Sequence, residues 1–169
     1  MAQVLAVFFD ADADAEVRAL WRKLESAGIP GPARRDRPHV TLAAASVIPP
    51  KTRAALAKDL ALLSLPALWL YTLGTFPTAE NALFLGAVTD TELIAVHSAV
   101  HDVLAGRVTH PQASCLPGAW VPHCTLAVDL GAEQLAAGFA ALHPIEPIRA
   151  KIATVGIVDT RTGEVSELG

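Results

Sequence analysis

The sequence contains only two cysteines, Cys115 and Cys124, in 169 residues. Two thiols cannot build the disulfide framework of a small secreted domain, and they read as ordinary thiols of a reducing compartment. A basic excess is also missing. Thirteen Lys and Arg face 17 Asp and Glu, giving a net charge of −4 and a pI of about 5.8. That excludes a surface made to hold a long nucleic-acid backbone, but not a pocket that grips one nucleotide end. There is no long hydrophobic run. The most apolar stretch, Leu60 to Leu73, is interrupted by Ser64, Pro66, Tyr71 and Thr72 and is too broken for a membrane span. The opening Met1-Ala2-Gln3-Val4 lacks the basic start and small-residue cleavage site of a secretory signal, so a cytoplasmic protein is expected. Low-complexity tracts and linkers are absent. So is a phosphate-binding Gly-rich loop, since Gly28 and Gly31 lack the Lys-Ser/Thr that would complete one.

What is present suffices for a sizeable core. Apolar residues make up 52% of the chain, which excludes disorder. Strand-like runs fall at Val4–Phe9, Pro38–Ala45, Leu65–Phe76, Ala82–Val88, Trp120–Asp129 and Ile148–Val158, with a short last strand after the Thr160–Gly163 turn. Helical spacing and caps predict helices over about 14–27 behind Asp12 or Asp14, from Pro50 to about Leu63, from Thr91 to Leu104 behind Thr89 or Asp90, and from Glu133 to Leu142. A polar tip at Thr78–Asn81 makes the third and fourth runs a hairpin. Strands and helices alternating with hairpins predict an α+β fold with antiparallel sheets.

One hexapeptide recurs. Pro38-His39-Val40-Thr41-Leu42-Ala43 returns 84 residues later as Pro122-His123-Cys124-Thr125-Leu126-Ala127. The offset is almost half the chain, and a two-lobed repeat with pseudo-twofold symmetry is the simplest account. With 12 Thr and 6 Ser in the chain, one His followed two later by a hydroxyl would be unremarkable; two in the same hexapeptide are not. Strand alternation puts His39 with Thr41, and His123 with Thr125, on one face, opposite Val40 and Leu42, or Cys124 and Leu126. If the lobes are symmetric, both His/Thr faces meet in one cleft. Two imidazoles, with an ordinary pKa of about 6.5, suit in-line displacement at phosphorus as base and acid. Two hydroxyls suit the charge that develops on the non-bridging oxygens.

The motifs His39-Val40-Thr41-Leu42 and His123-Cys124-Thr125-Leu126, their separation, and the order of elements around them resemble the two-histidine phosphoesterases, and within them the 2′-5′ RNA ligase-like proteins. The resemblance covers nearly the whole chain. It implies a bilobal α+β fold: one two-lobed domain over 1–169, two antiparallel sheets lining a central cleft, helices packed outside. It implies action on 2′,3′-cyclic phosphates, 2′-5′ linkages or related nucleotide esters. By motif, His39 and His123 would be the acid/base pair, and Thr41 and Thr125 would hold the phosphate. No metal or other cofactor is required in this scheme. A nucleotide or RNA end is the expected partner, with no long nucleic acid and no membrane, and a monomer is expected.

Other residues complete the expectations. Arg37 lies two before His39 and shares its face. Arg149 and Lys151 are further candidates for neutralising phosphate. Trp120 either stacks on a base at the cleft rim or closes its lobe. Trp21 and Trp69 read as core, and Phe76, near a strand end, as core or hairpin packing in preference to lining the cleft. His97 and His101, at i and i+4 on a helix, read as surface residues rather than a metal pair. Cys124 faces away from His123, against a Cys/His nucleophilic pair. The residues after both motifs depart from the family pattern, which motivates an alternative: a non-catalytic nucleotide or RNA-end-binding module. A third reading is a metal-binding protein using His39, His123 and another His or Cys.

Overall fold

The computed structural model describes residues 2–33, 35–78 and 81–169. Met1, Arg34, and Ala79 and Glu80 of the hairpin tip lie outside them. The elements are β1 (Gln3–Phe9), α1 (Ala11–Ser26), β2 (His39–Val47), α2 (Pro50–Leu60), β3 (Leu68–Thr75), β4 (Leu83–Ala87), α3 (Thr91–Leu104), β5 (Thr109–Pro111), a 3-10 turn (Ala113–Cys115), β6 (His123–Ala127), α4 (Ala132–Leu142), β7 (Ile148–Ala150), β8 (Ile152–Asp159) and β9 (Val165–Glu167). The fold is α+β, with four helices and two antiparallel sheets. One sheet runs β5-β2-β1-β8-β9 and the other β6-β4-β3-β7. Among the described residues, no helix is long and apolar enough to cross a membrane.

Local chemistry explains most boundaries. Helix α1 buries Ala13, Val17, Leu20, Trp21 and Leu24 along one stripe. It begins earlier than Asp12 or Asp14 suggested, after Asp10. Asp12 and Asp14 sit in its first turn, where they favour the helix dipole. Asp10 is used elsewhere: its N–H donates to the Lys151 carbonyl at 2.9 Å, and its Oδ1 accepts from the Lys151 N–H at 3.1 Å. That clasp divides the expected 148–158 strand. Residues 148–150 pair with β3 in one sheet, and residues 152–159 pair with β1 in the other. Asp90 caps α3 by accepting from the Leu93 N–H at 2.8 Å.

The lobes exchange helices. Helix α1 follows β1 of the first sheet but packs on β6, β7 and α4 of the second. Helix α3 follows β4 of the second sheet but packs on β2 and α2 of the first. The two-lobed repeat is therefore interlocked rather than a tandem of halves. Gly138 lets α4 close on the second sheet: a Cβ there would meet Leu83 Cδ2 at 2.9 Å. Leu42 and Leu126, the last residues of the two motifs, are both buried in the shared core, where truncation to Ala costs roughly 2–5 kcal/mol.

Candidate active site

The two motifs are built alike. His39 opens β2 and His123 opens β6. Each imidazole Nδ1 donates to the carbonyl two residues earlier, His39 to Arg37 O and His123 to Val121 O, both at 2.7 Å. A carbonyl only accepts, so Nδ1 carries the proton and Nε2 is left as the free, basic nitrogen on each ring. Alternation is as expected: His39, Thr41, His123 and Thr125 are half-buried, while Val40, Leu42, Cys124 and Leu126 are fully buried.

Strands β2 and β6 belong to different sheets but lie against each other. Their polar faces interleave. His39 and Thr125 line one cavity, of about 330 Å³. Thr41 and His123 line a second, of about 550 Å³. Each cavity thus holds the histidine of one motif and the threonine of the other. The histidines sense each other as well. Burial pushes the His123 pKa down, the Val121 carbonyl opposes that, and the His39 charge lowers it further. Burial lowers His39, opposed by the Arg37 carbonyl and Asp36, while the Arg37 cation adds to the lowering. Both imidazoles are therefore neutral bases near neutral pH. The Cys124 thiol, buried on the far face, is pushed up to about 12, mainly by burial, and is no nucleophile.

The surroundings of the two rings differ. His39 packs against Phe8 at 5.8 Å between centroids. The Arg37 guanidinium lies 4.3 Å from the Phe8 centroid and 3.7 Å from Glu167. Arg37 lines the His39 cavity, as its position in sequence suggested. His123 has two aromatic neighbours instead, Phe76 edge-on at 4.9 Å and Phe84 at 5.0 Å. Gly74 makes room for them, since a Cβ there would meet Phe84 Cε2 at 2.9 Å. Phe76 is thus a lining residue of the cleft and not just hairpin packing. Its place at the end of β3, opposite the motif, was the available signal.

Trp120 closes its lobe and also borders the cleft. It lines the His123 cavity, and its indole N–H donates to the Thr41 carbonyl at 2.8 Å. One indole face stacks on His97, with centroids 3.9 Å apart and planes within 6°. His97 and His101 are not surface residues. His97 is 2% exposed and its Nε2 donates to the Cys115 carbonyl at 2.9 Å, while His101 Nε2 donates to the Leu42 carbonyl at 3.1 Å. His97 lies on the buried stripe of α3 with Leu93, Val96 and Val100, a signal readable in the sequence. On the other side, Trp21 reaches the Thr125 carbonyl at 3.4 Å. An indole from outside each motif strand thus holds the backbone of each threonine.

Some expectations fail. Arg149 lies over Trp69, in a cavity that contains neither histidine. Trp69 is 40% exposed rather than core, because Leu68 and Leu70 take the buried face of β3. Among the described residues, no three His, Cys, Asp or Glu side chains cluster as metal ligands, so the third reading has no ligand set.

Comparison with known proteins identifies the fold and the family. The model of the 2'-5' RNA ligase superfamily matches residues 9–164. No curated protein sequence matches the chain. Escherichia coli LigT complexed with 3'-AMP is similar in structure, with a TM-score of 0.61 and 16% identity over 98% of this chain and 91% of that one. Kluyveromyces marxianus Usb1 gives a TM-score of 0.56 at 9% identity, over 99% and 97%. The MHV ns2 PDE domain gives 0.56 at 15% identity, over 99% of each chain. At such identities the structures establish the fold, and the family model establishes the membership: the chain belongs to the 2′-5′ RNA ligase superfamily, among the two-histidine phosphoesterases that its paired motifs resemble.

Proposed function

We propose that the protein is a metal-independent phosphoesterase acting on 2′,3′-cyclic phosphate or 2′-5′-linked nucleotide or RNA ends, as a single two-lobed unit and a monomer. The observation that carries this reading is that His39 shares a cavity with Thr125 and His123 one with Thr41, each Nδ1 being held by a carbonyl and each Nε2 having no hydrogen-bond partner among the described residues. In hydrolysis of a cyclic phosphate, one neutral Nε2 takes a proton from water as its oxygen bonds to phosphorus. The bond from phosphorus to one ribose oxygen breaks, and the other imidazole, protonated, gives that oxygen its proton. Thr41 and Thr125 hydroxyls donate to the non-bridging oxygens as charge builds there. The lowered pKa of each ring favours the base role, and their mutual repulsion favours one shared proton over two. Arg37 supplies cationic charge at the rim. Its 3.7 Å contact with Glu167 is partly exposed, worth about 0–1 kcal/mol, and yields readily to a phosphate.

LigT was solved with 3'-AMP and Usb1 with uridine monophosphate, and a nucleotide is the ligand we assign to this cleft. The test is hydrolysis of a panel of 2′,3′-cyclic nucleotides and 2′-5′ dinucleotides in EDTA, with the His39→Ala/His123→Ala double variant beside the parent. Turnover in the parent that vanishes in the variant is expected. The alternative, a binding module without turnover, is favoured by one observation: Arg37 already has an acidic partner. Tight nucleotide binding by the parent without turnover on any substrate would select it.

A further inference from the structure

A second aromatic surface lies on the same sheet as His123. Across β6, β4 and β3, residues directly opposite share a face, and His123 faces Gly86, which faces Thr72. The alternate positions Leu83, Leu85, Leu68, Leu70, Ile148 and Ala150 are buried on the other side of the sheet. One step further along the strands, Val88, Tyr71 and Trp69 come to the same open face. The Val88 N–H donates to the Trp69 carbonyl at 2.8 Å, which fixes the register there. A slip in the β3–β4 pairing between Leu70 and Thr72 brings Tyr71 outward too. Trp69 is paired with Arg149 on β7, whose guanidinium lies 5.7 Å from the indole centroid.

Trp69, Tyr71 and Val88 are 40%, 64% and 49% exposed. With Ala67, Asp90 and Arg149 they line an open cavity of about 350 Å³. Two bulky aromatics left in water beside a cation, on the open face that leads from His123, are costly unless something covers them. Gly86 and Thr72 form a low floor between the two places. Two strand spacings and a two-residue step put Trp69 roughly 12 Å from His123. A short oligonucleotide spans that distance and a mononucleotide does not.

We propose that Trp69, Tyr71 and Arg149 form a stacking subsite for a base, with its phosphate, flanking the one held at the histidines, so that the substrate class is a short single-stranded oligonucleotide end. The inference rests on the phosphoesterase reading of the cleft and extends it. Base–aromatic stacking does not depend on which base is present, and Arg149 supplies the one cation of the subsite. Asp90 is occupied at the α3 N-terminus, where it accepts from the Leu93 N–H, and its charge limits the subsite to one phosphate rather than a long backbone. The acidic balance of the whole chain agrees with a short ligand.

The test measures binding in the His39→Ala/His123→Ala background, using a fluorescent trinucleotide and a mononucleotide, both ending in a 2′,3′-cyclic phosphate. The trinucleotide is expected to bind roughly tenfold more tightly. Trp69→Ala with Tyr71→Ala abolishes that advantage and leaves mononucleotide binding unchanged. Arg149→Glu, at an exposed position, lowers trinucleotide affinity and its salt dependence. Equal affinity for both lengths, or a length advantage that survives Trp69→Ala/Tyr71→Ala, overturns the subsite. A parent that sediments as a dimer and becomes a monomer as Trp69→Ala assigns the face to a second copy and also overturns it. Turnover on the cyclic panel, measured separately on the parent, keeps the two readings apart. Activity without length dependence leaves the phosphoesterase and removes the subsite. Length-dependent binding without activity keeps the subsite and removes the phosphoesterase.

Discussion

The two histidine strands share one backbone plan and differ in what surrounds it. Strand β2 presents His39 with Phe8 on one side and the charged pair Arg37 and Asp36 nearby. Strand β6 presents His123 between Phe76 and Phe84, with the His39 ring near enough to lower its pKa. The features that the proposed chemistry uses are duplicated: the Nδ1 clamp, the threonine of the other motif in each cavity and the indole on the threonine carbonyl. Features that choose a ligand are not. On the proposed reading, symmetry in the motif would supply acid and base, while asymmetry at the rim places charge on one side and aromatic surface on the other.

The largest effect is expected where the plan is symmetric. His39→Ala and His123→Ala should each lower kcat by about 10²–10⁴, and the double variant should fall little further, because the pair acts as one unit. Additive losses would break the symmetry argument. Thr41→Val and Thr125→Val should each lower kcat by roughly 10²-fold with little change in KM. A loss confined to one of them would mean that one threonine alone meets the developing charge. The rim should behave oppositely: Phe76→Ala should raise KM for nucleotides about tenfold, and Arg37→Ala should raise it less. Equal effects of Phe76→Ala and Arg37→Ala, read from saturation curves, would erase the asymmetry.

Stability should depend on pH in a stated direction. His39, His97 and His123 all have pKa values lowered by burial, so the unfolded chain binds more protons than the folded one below about pH 6.5. Folding stability is then full above that pH and falls as pH drops through the lowered values. Denaturant midpoints at pH 7.5 and 5.0 test this. The His39→Ala/His123→Ala variant should show a shallower decline.

Much of this was legible in the sequence, for local reasons. Period-two alternation around His39 and His123 gave their face, and Asp90 caps α3, which spans Thr91–Leu104 as expected. What was illegible came from contacts distant in sequence. The division of 148–158 between two sheets depends on Asp10, and the exchange of α1 and α3 between lobes leaves no local mark. His97 looked like a surface residue because its class is usually polar. Its place on the stripe with Leu93, Val96 and Val100 was readable, but the Trp120 ring stacked on it and the Cys115 carbonyl within reach were not. Trp69 looked like core because Leu-Trp-Leu reads as apolar throughout, although alternation already turned it outward.

The central claim is that two histidines share the proton work at one phosphorus. It is tested most directly by the pH–rate profile of 2′,3′-cyclic nucleotide hydrolysis in EDTA, for the parent and for each single His→Ala variant. The account predicts a bell in the parent, unchanged by EDTA, and loss of turnover at every pH in both variants. A parent silenced by EDTA, or either variant keeping the parent's rate, would contradict it.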